Sequence, residues 1–159
     1  MFAQPQAEHQ WFQDLLGNWE FSHQCATGPD SPPSTTTGKV AVRTLGGLWY
    51  LLESSGEVPE SGSWTSLMTL GFDPQRNKYV GTFVGSMMTH LWVYEGQLDA
   101  SGRILTLDVE GPRFDGSGMV RYQDILEIAS SDHWILRSQV LGDDGQWQPL
   151  LEGHHRRVS

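Results

Sequence analysis

From Trp19 to the C-terminus, apolar residues recur at alternate positions within short runs, and each run is closed by Gly, Asp, Asn or Pro. Period-two alternation bounded by turn residues is the signature of half-buried β-strands. The runs are Trp19–Cys25, Gly38–Leu45, Leu48–Ser54, Trp64–Phe72, Lys78–Ser86, His90–Leu98, Ile104–Glu110, Met119–Ala129, Trp134–Leu141 and Trp147–Val158. Between them stand Gly46-Gly47, Asp73-Pro74-Gln75-Arg76-Asn77, Asp99-Ala100-Ser101-Gly102 and Gly142-Asp143-Asp144-Gly145, all hairpin chemistry. No helical stretch separates the strands, so parallel crossovers have no material to form from. The pattern predicts an all-β fold: an antiparallel up-and-down barrel of about ten strands in which consecutive strands are neighbours.

One segment breaks the period. Trp11, Phe12, Leu15 and Leu16 recur at helical spacing between Ala7 and Leu16, and Gly17 supplies a stop, so an N-terminal helix is expected to cap one end of the barrel. Thr27–Thr37, with Pro29, Pro32 and Pro33 among small polar residues, is the one long predicted loop. No repeat or linker divides the 159 residues, which suit a single domain, 1–159, with a core of its own.

Alternation also assigns the interior. Trp64, Ser66, Met68, Leu70 and Phe72 share a face; so do Leu105, Leu107 and Val109, then Val120, Tyr122, Leu126 and Ile128, then Trp134, Leu136 and Val140. Trp19, Trp49, Trp64, Trp92, Trp134 and Trp147 fall on six different strands. Rings distributed in this way either fill a small barrel or line a cavity for an apolar ligand. Among charged groups on the inward faces, Asp124 is the clearest, and Glu53, beside Trp49 and Leu51, is a second candidate.

Val84–Gly96 carries the sharpest local pattern. A loop at Ser86–Thr89 would set Gly85 opposite His90, Phe83 opposite Trp92 and Gly81 opposite Tyr94, placing rings across from glycines. His90, Trp92 and Tyr94 then share one face, with Leu91 and Val93 on the other. Both faces are apolar, and Val80, Thr82 and Val84 extend the Leu91 side into a patch. A second copy of the chain is the expected cover, giving a homodimer.

Charge and motifs narrow the chemistry. The formal net charge is −9 and the only lysines are Lys39 and Lys78, which argues against a nucleic-acid partner. Cys25 is the single cysteine, and no leader-like or membrane-spanning apolar run is evident, so a soluble cytoplasmic protein is expected. Phosphate loops, paired metal ligands and nucleophile elbows are absent, and no metal or cofactor is expected. His154 and His155 alternate faces and cannot serve one site; Asp108 and Glu110 share the face opposite Leu107 and Val109 and read as a solvated acidic edge.

Three functions are compatible with these residues. A ligand-binding barrel would use aromatic walls, with His90, Trp92, Tyr94, Glu53 and Asp124 as candidate ligand contacts. An enzyme would use His90 as base, Tyr94 as acid or oxyanion donor, and Asp124 or Glu53 to orient the imidazole. A structural homodimer would have a filled core. His90 also has a plain reading, as a histidine at a strand mouth that is hydrogen-bonded or solvated.

Gly17-Asn18-Trp19 resembles the G-x-W that opens the first strand in the calycin superfamily. The resemblance implies a lipocalin-like barrel in which Trp19 packs beneath one end against a late basic side chain, Arg156 or Arg157, with Arg156 carried as the candidate. A stacked guanidinium there would be a structural clamp. Haem-binding nitrobindin-like barrels share the G-x-W start, and that likeness would imply haem held by His90. This chain has Glu20-Phe21-Ser22-His23 where those barrels carry a glycine-alternating stretch. A match over nearly the whole chain rests on His9 with Leu15-Leu16-Gly17-Asn18-Trp19, Leu45-Gly46-Gly47-Leu48-Trp49, Met68–Pro74, Val84–Gly96, and Leu105-Thr106-Leu107 before Glu110-Gly111-Pro112. In these motifs the chain resembles the bacterial domain of unknown function 1579 family, which implies a calycin-like barrel and assigns no activity, substrate or catalytic residue.

Overall fold

The computed structural model describes residues 1–25 and 34–159. Ten strands form a closed antiparallel barrel: β1 (Gly17–Cys25), β2 (Ser34–Leu45), β3 (Trp49–Val58), β4 (Gly62–Asp73), β5 (Lys78–Gly85), β6 (Trp92–Leu98), β7 (Ile104–Pro112), β8 (Met119–Ser130), β9 (His133–Leu141) and β10 (Trp147–Arg157). Each strand pairs with its neighbours in sequence, and β10 closes the ring on β1 with Trp19 opposite Arg157. Closure removes the sheet edges that an open meander would expose. Two predicted boundaries move. Ser34–Thr37 belong to β2, whose first residue pairs with Cys25, while the rest of the predicted long loop lies outside the described residues. His90 and Leu91 precede β6 rather than opening it.

The N-terminal cap is tighter than the predicted helix. Ala7–Gln10 form one α-helical turn, α1, and Trp11–Leu15 continue as a 3-10 helix. Side chains three residues apart eclipse in a 3-10 helix, which sends Phe12 and Leu15 into the barrel together, both with no exposed surface. Polar contacts fix the segment. His9 donates from Nε2 to the Phe72 carbonyl at 3.1 Å, Trp11 from Nε1 to Gly102 at 2.8 Å, and Gln13 from Nε2 to the Tyr50 hydroxyl at 2.7 Å. Gly17 has φ +121°, and a Cβ there would lie 2.6 Å from Nη1 of Arg157, so glycine alone fits where the cap turns into β1.

The interior has two parts. Near the cap, Phe12, Leu15, Trp19, Tyr50, Leu70, Phe72, Tyr79, Leu105 and Leu107 form a packed core. Towards the other end the same inward rows continue as walls around open space: Tyr50 gives way to Leu52 and Ser54, Leu70 to Met68 and Ser66, and Leu107 to Val109. Barrel filling and cavity lining, alternatives by sequence, are thus both realised, in succession along each strand. Trp49 and Trp147 leave the interior set. Trp49 is outward and 41 % exposed, lying over Gly71, and Trp147 is half-buried away from the cavity. Among the described residues no helix is long and apolar enough to cross a membrane.

Candidate functional site

The open half of the barrel encloses a cavity of about 480 Å³. Its wall is mainly apolar and aromatic, with Trp64, Phe83, Trp92, Tyr122, Leu126 and Leu136 around it, and Met87, Met88 and Phe114 at the rim. Concave, largely apolar sites with a few placed polar groups are the usual form of small-molecule sites. A shallower concavity of about 670 Å³ lies against the β1–β4 wall and is lined by Asn18, Glu20, Lys39, Glu53 and Thr65 among others. It lacks the aromatic enclosure of the interior.

Besides the hydroxyls of Thr36, Ser54 and Ser66, two polar clusters interrupt the apolar wall. The first is centred on Asp124, which sits opposite Ser138 in the β8–β9 ladder. Ser138 donates to Oδ1 at 2.6 Å, and Tyr94, reaching across β7 from β6, donates to Oδ2 at 2.5 Å. Both are short O–H···O bonds, and they favour the ionised form of the carboxyl group. Enclosure by protein raises the Asp124 pKa above the ordinary carboxylate value, and the bonds from Ser138 and Tyr94 pull it back. Burial, then the adjacent carboxylate, holds the Tyr94 phenol well above its ordinary pKa, so it remains a donor. Asp124 retains accessible surface and lines the cavity.

The second polar group was not among the sequence candidates. His23 of β1 and His155 of β10 point inward and approach at 3.4 Å between their Nε2 atoms, so one imidazole donates to the other. His155 also stacks on Trp134, with centroids 3.5 Å apart and planes 7° from parallel, while His23 stacks on Phe21. Burial lowers the His23 pKa to about 4; burial and then His23 lower that of His155 to about 2. Both rings are therefore neutral at neutral pH. Trp134 Nε1 and His155 Nδ1 are buried without a hydrogen-bond partner among the described residues. Gly153 makes room for this arrangement, because a Cβ there would collide with the His23 ring.

Three sequence candidates meet in the cavity wall: Trp92, Tyr94 and Asp124. The predicted pairing of Phe83 with Trp92 and Gly81 with Tyr94 is present. The predicted Gly85–His90 pair is not, since the ladder ends at Phe83–Trp92 and the chain at His90 has left the sheet. His90 stands outside the cavity lining, donates from Nε2 to the Glu110 carbonyl at 3.1 Å and meets the edge of Trp92. Its plain reading is the one the geometry matches. Glu53 faces outward, because Tyr50, Leu52 and Ser54 take the inward positions of β3; it pairs with Arg43 at 2.9 Å. Among the described residues no carboxylate is hydrogen-bonded to His90, and Asp124 is engaged by Tyr94 and Ser138 instead.

The basic partner of Trp19 is Arg157, not Arg156. Arg157 stands directly across from Trp19 in the β1–β10 register and carries its guanidinium over the indole, whereas Arg156 takes the alternate, exposed position. His154, also outward, pairs with His133 at 2.8 Å. Asp108 lies on the outer wall with Gln123 and Arg121, as its alternation predicts. Among the described residues no group of three or more His, Cys, Asp or Glu side chains is arranged to hold a metal ion.

Residues 4–157 match the family model described as protein of unknown function (DUF1579). The chain belongs to this family. No curated protein matches it by sequence. Among solved structures, Rv2717c from M. tuberculosis is similar over 98 % of this chain and 100 % of its own, at 14 % identity and a TM-score of 0.66. The S-type phycobiliprotein lyase CPES from Guillardia theta is similar over 98 % of this chain and 99 % of its own, at 11 % identity and a TM-score of 0.64. EF1p2_mFAP2b, a structure bound to DFHBI, covers 95 % of this DUF1579 chain and 99 % of its own, at 12 % identity and a TM-score of 0.52. At these identities the likeness establishes the shared barrel and nothing finer.

Proposed function

We propose that this DUF1579 protein binds a small apolar or amphipathic molecule inside its barrel. The observation that carries the reading is the cavity of about 480 Å³, walled by aromatic and aliphatic side chains and continuous with a solid core at the capped end. A purely structural protein would gain more by filling that space, since close packing is the normal state of protein interiors. The barrel plan is compatible with small-molecule binding, as the DFHBI-bound EF1p2_mFAP2b illustrates for its own chain. The enzymatic alternative has weaker support: His90 lies outside the cavity, and the two histidines inside it have no carboxylate hydrogen-bonded to them among the described residues.

Native mass spectrometry of protein purified from its host tests this directly. A retained small molecule, displaced when an apolar fluorophore is added, is the expected result. Absence of any retained species, together with no fluorophore binding by wild-type protein, would overturn the reading.

A further inference from the structure

The charge lining the cavity is one-sided. Among the described residues its titratable members are His23, Cys25, Tyr94, Tyr122, Asp124 and His155, and no described lysine or arginine lines it. Residues 26–33 contain none either. Burial disfavours charge on the two imidazoles, and among the described lining residues Asp124 is the one carboxyl group. Each oxygen of Asp124 accepts one hydrogen bond, from Ser138 or Tyr94, and a carboxylate oxygen has room for a second. Trp92, Tyr122 and Trp64 line the same cavity, and the π faces of such rings attract cations. The chain as a whole is anionic, with a formal net charge of −9, which raises the local concentration of cations and lowers that of anions.

From this juxtaposition we infer that the ligand is an apolar or aromatic amine in its protonated form, seated with its ammonium on Asp124 and its body against the aromatic wall. The inference rests on the ligand-binding reading above and adds the headgroup. A buried carboxylate without a counter-charge carries an uncompensated desolvation cost, and a protonated amine relieves it with charge-assisted hydrogen bonds. An apolar carboxylic acid has the opposite problem. Its anion would enter a cavity whose described lining holds a carboxyl group and no lysine or arginine.

The test uses three probes with the same apolar body: 2-naphthylmethylamine, 2-naphthylmethanol and 2-naphthoate, titrated into the wild-type protein by calorimetry at pH 7. The amine should bind about tenfold more tightly than the alcohol, a difference of about 1.4 kcal/mol, and the carboxylate more weakly than both. In Asp124→Asn the advantage of the amine over the alcohol should vanish while alcohol binding persists. Equal affinities for all three probes, or a preference for naphthoate, would overturn the headgroup inference and leave the cavity reading standing. Failure of all three to bind would remove both. The wild-type series decides the matter even if Asp124→Asn does not fold.

Discussion

The guanidinium carbon of Arg157 lies 4.2 Å from the centroid of the Trp19 ring, and the same side chain donates to the carbonyls of Leu16, Asp14 and Ser131. The last turn of the cap, the first strand and the final strand are thereby joined at one point. The indole completes the joint by donating from Nε1 to the Leu15 carbonyl at 2.8 Å.

Trp19→Ala should destabilise the fold by about 3–5 kcal/mol, as expected for truncating a buried aromatic. Arg157→Lys keeps the charge but loses the planar fork that reaches three carbonyls, and should cost about 1–2 kcal/mol. Urea unfolding followed by tryptophan fluorescence measures both. A loss below about 1 kcal/mol for Trp19→Ala would show that the joint does not close the barrel.

The buried imidazoles make stability depend on pH. Each has a folded pKa below its unfolded value of about 6.5, so as pH falls the unfolded chain takes up protons that the folded one refuses, and stability drops. Between pH 6.5 and 5 the two together should cost about 3 kcal/mol. Asp124, with its raised pKa, acts in the opposite sense. It is common to wild type and His155→Phe, so the difference between their pH profiles isolates His155. The variant should lose about half of the decline, and parallel profiles would refute the assignment.

Gly153→Ala should destabilise by about 1–3 kcal/mol, because the added methyl group collides with the His23 ring and forces it off Phe21. Thermal unfolding will show the loss. Combining it with His23→Ala should recover part of it, since the colliding ring is then gone.

We further propose that the outer face of β5 and β6 is covered by a second copy of the chain. Leu91 and Val93 are 54 % and 57 % exposed, and Val84 on the adjacent strand is 42 % exposed. Sedimentation at micromolar concentration should give about twice the chain mass, and Leu91→Asp with Val93→Lys should give a folded monomer. A monomeric wild type would refute the proposal.

Strand number, strand order and most inward faces were legible because alternation and turn chemistry are local and the antiparallel barrel adds no crossover ambiguity. The faces that misled were those where both parities carry apolar residues. In β3, Trp49 and Leu51 compete with Tyr50 and Leu52, and choosing the wrong parity turned Glu53 inward. Asp124 could be read because Arg121, Gln123 and Glu127 mark the other parity of its strand as outward, and Trp92 and Tyr94 because their pairing with Phe83 and Gly81 follows from the hairpin. The His23–His155 pair was hidden for another reason: its members are 132 positions apart and meet only when the last strand closes on the first. The signals that could have found it were Gly153, two residues before His155 on the same face, and the apolar parity of Trp19 and Phe21, which His23 shares.

Among the described residues, the solid core beneath the cap leaves the cavity one rim, formed by the turns after β3, β5 and β7 and by the chain at Cys25. Were a guest bound as proposed, it would arrive and depart past this rim, where Met87, Met88 and Phe114 stand. Exchange of the proposed ligand and stability of the fold would then be controlled from opposite ends of the barrel. Substitutions at those three residues can change how long a guest stays without loosening the joint at Trp19, and changes at the joint can weaken the protein without altering the passage.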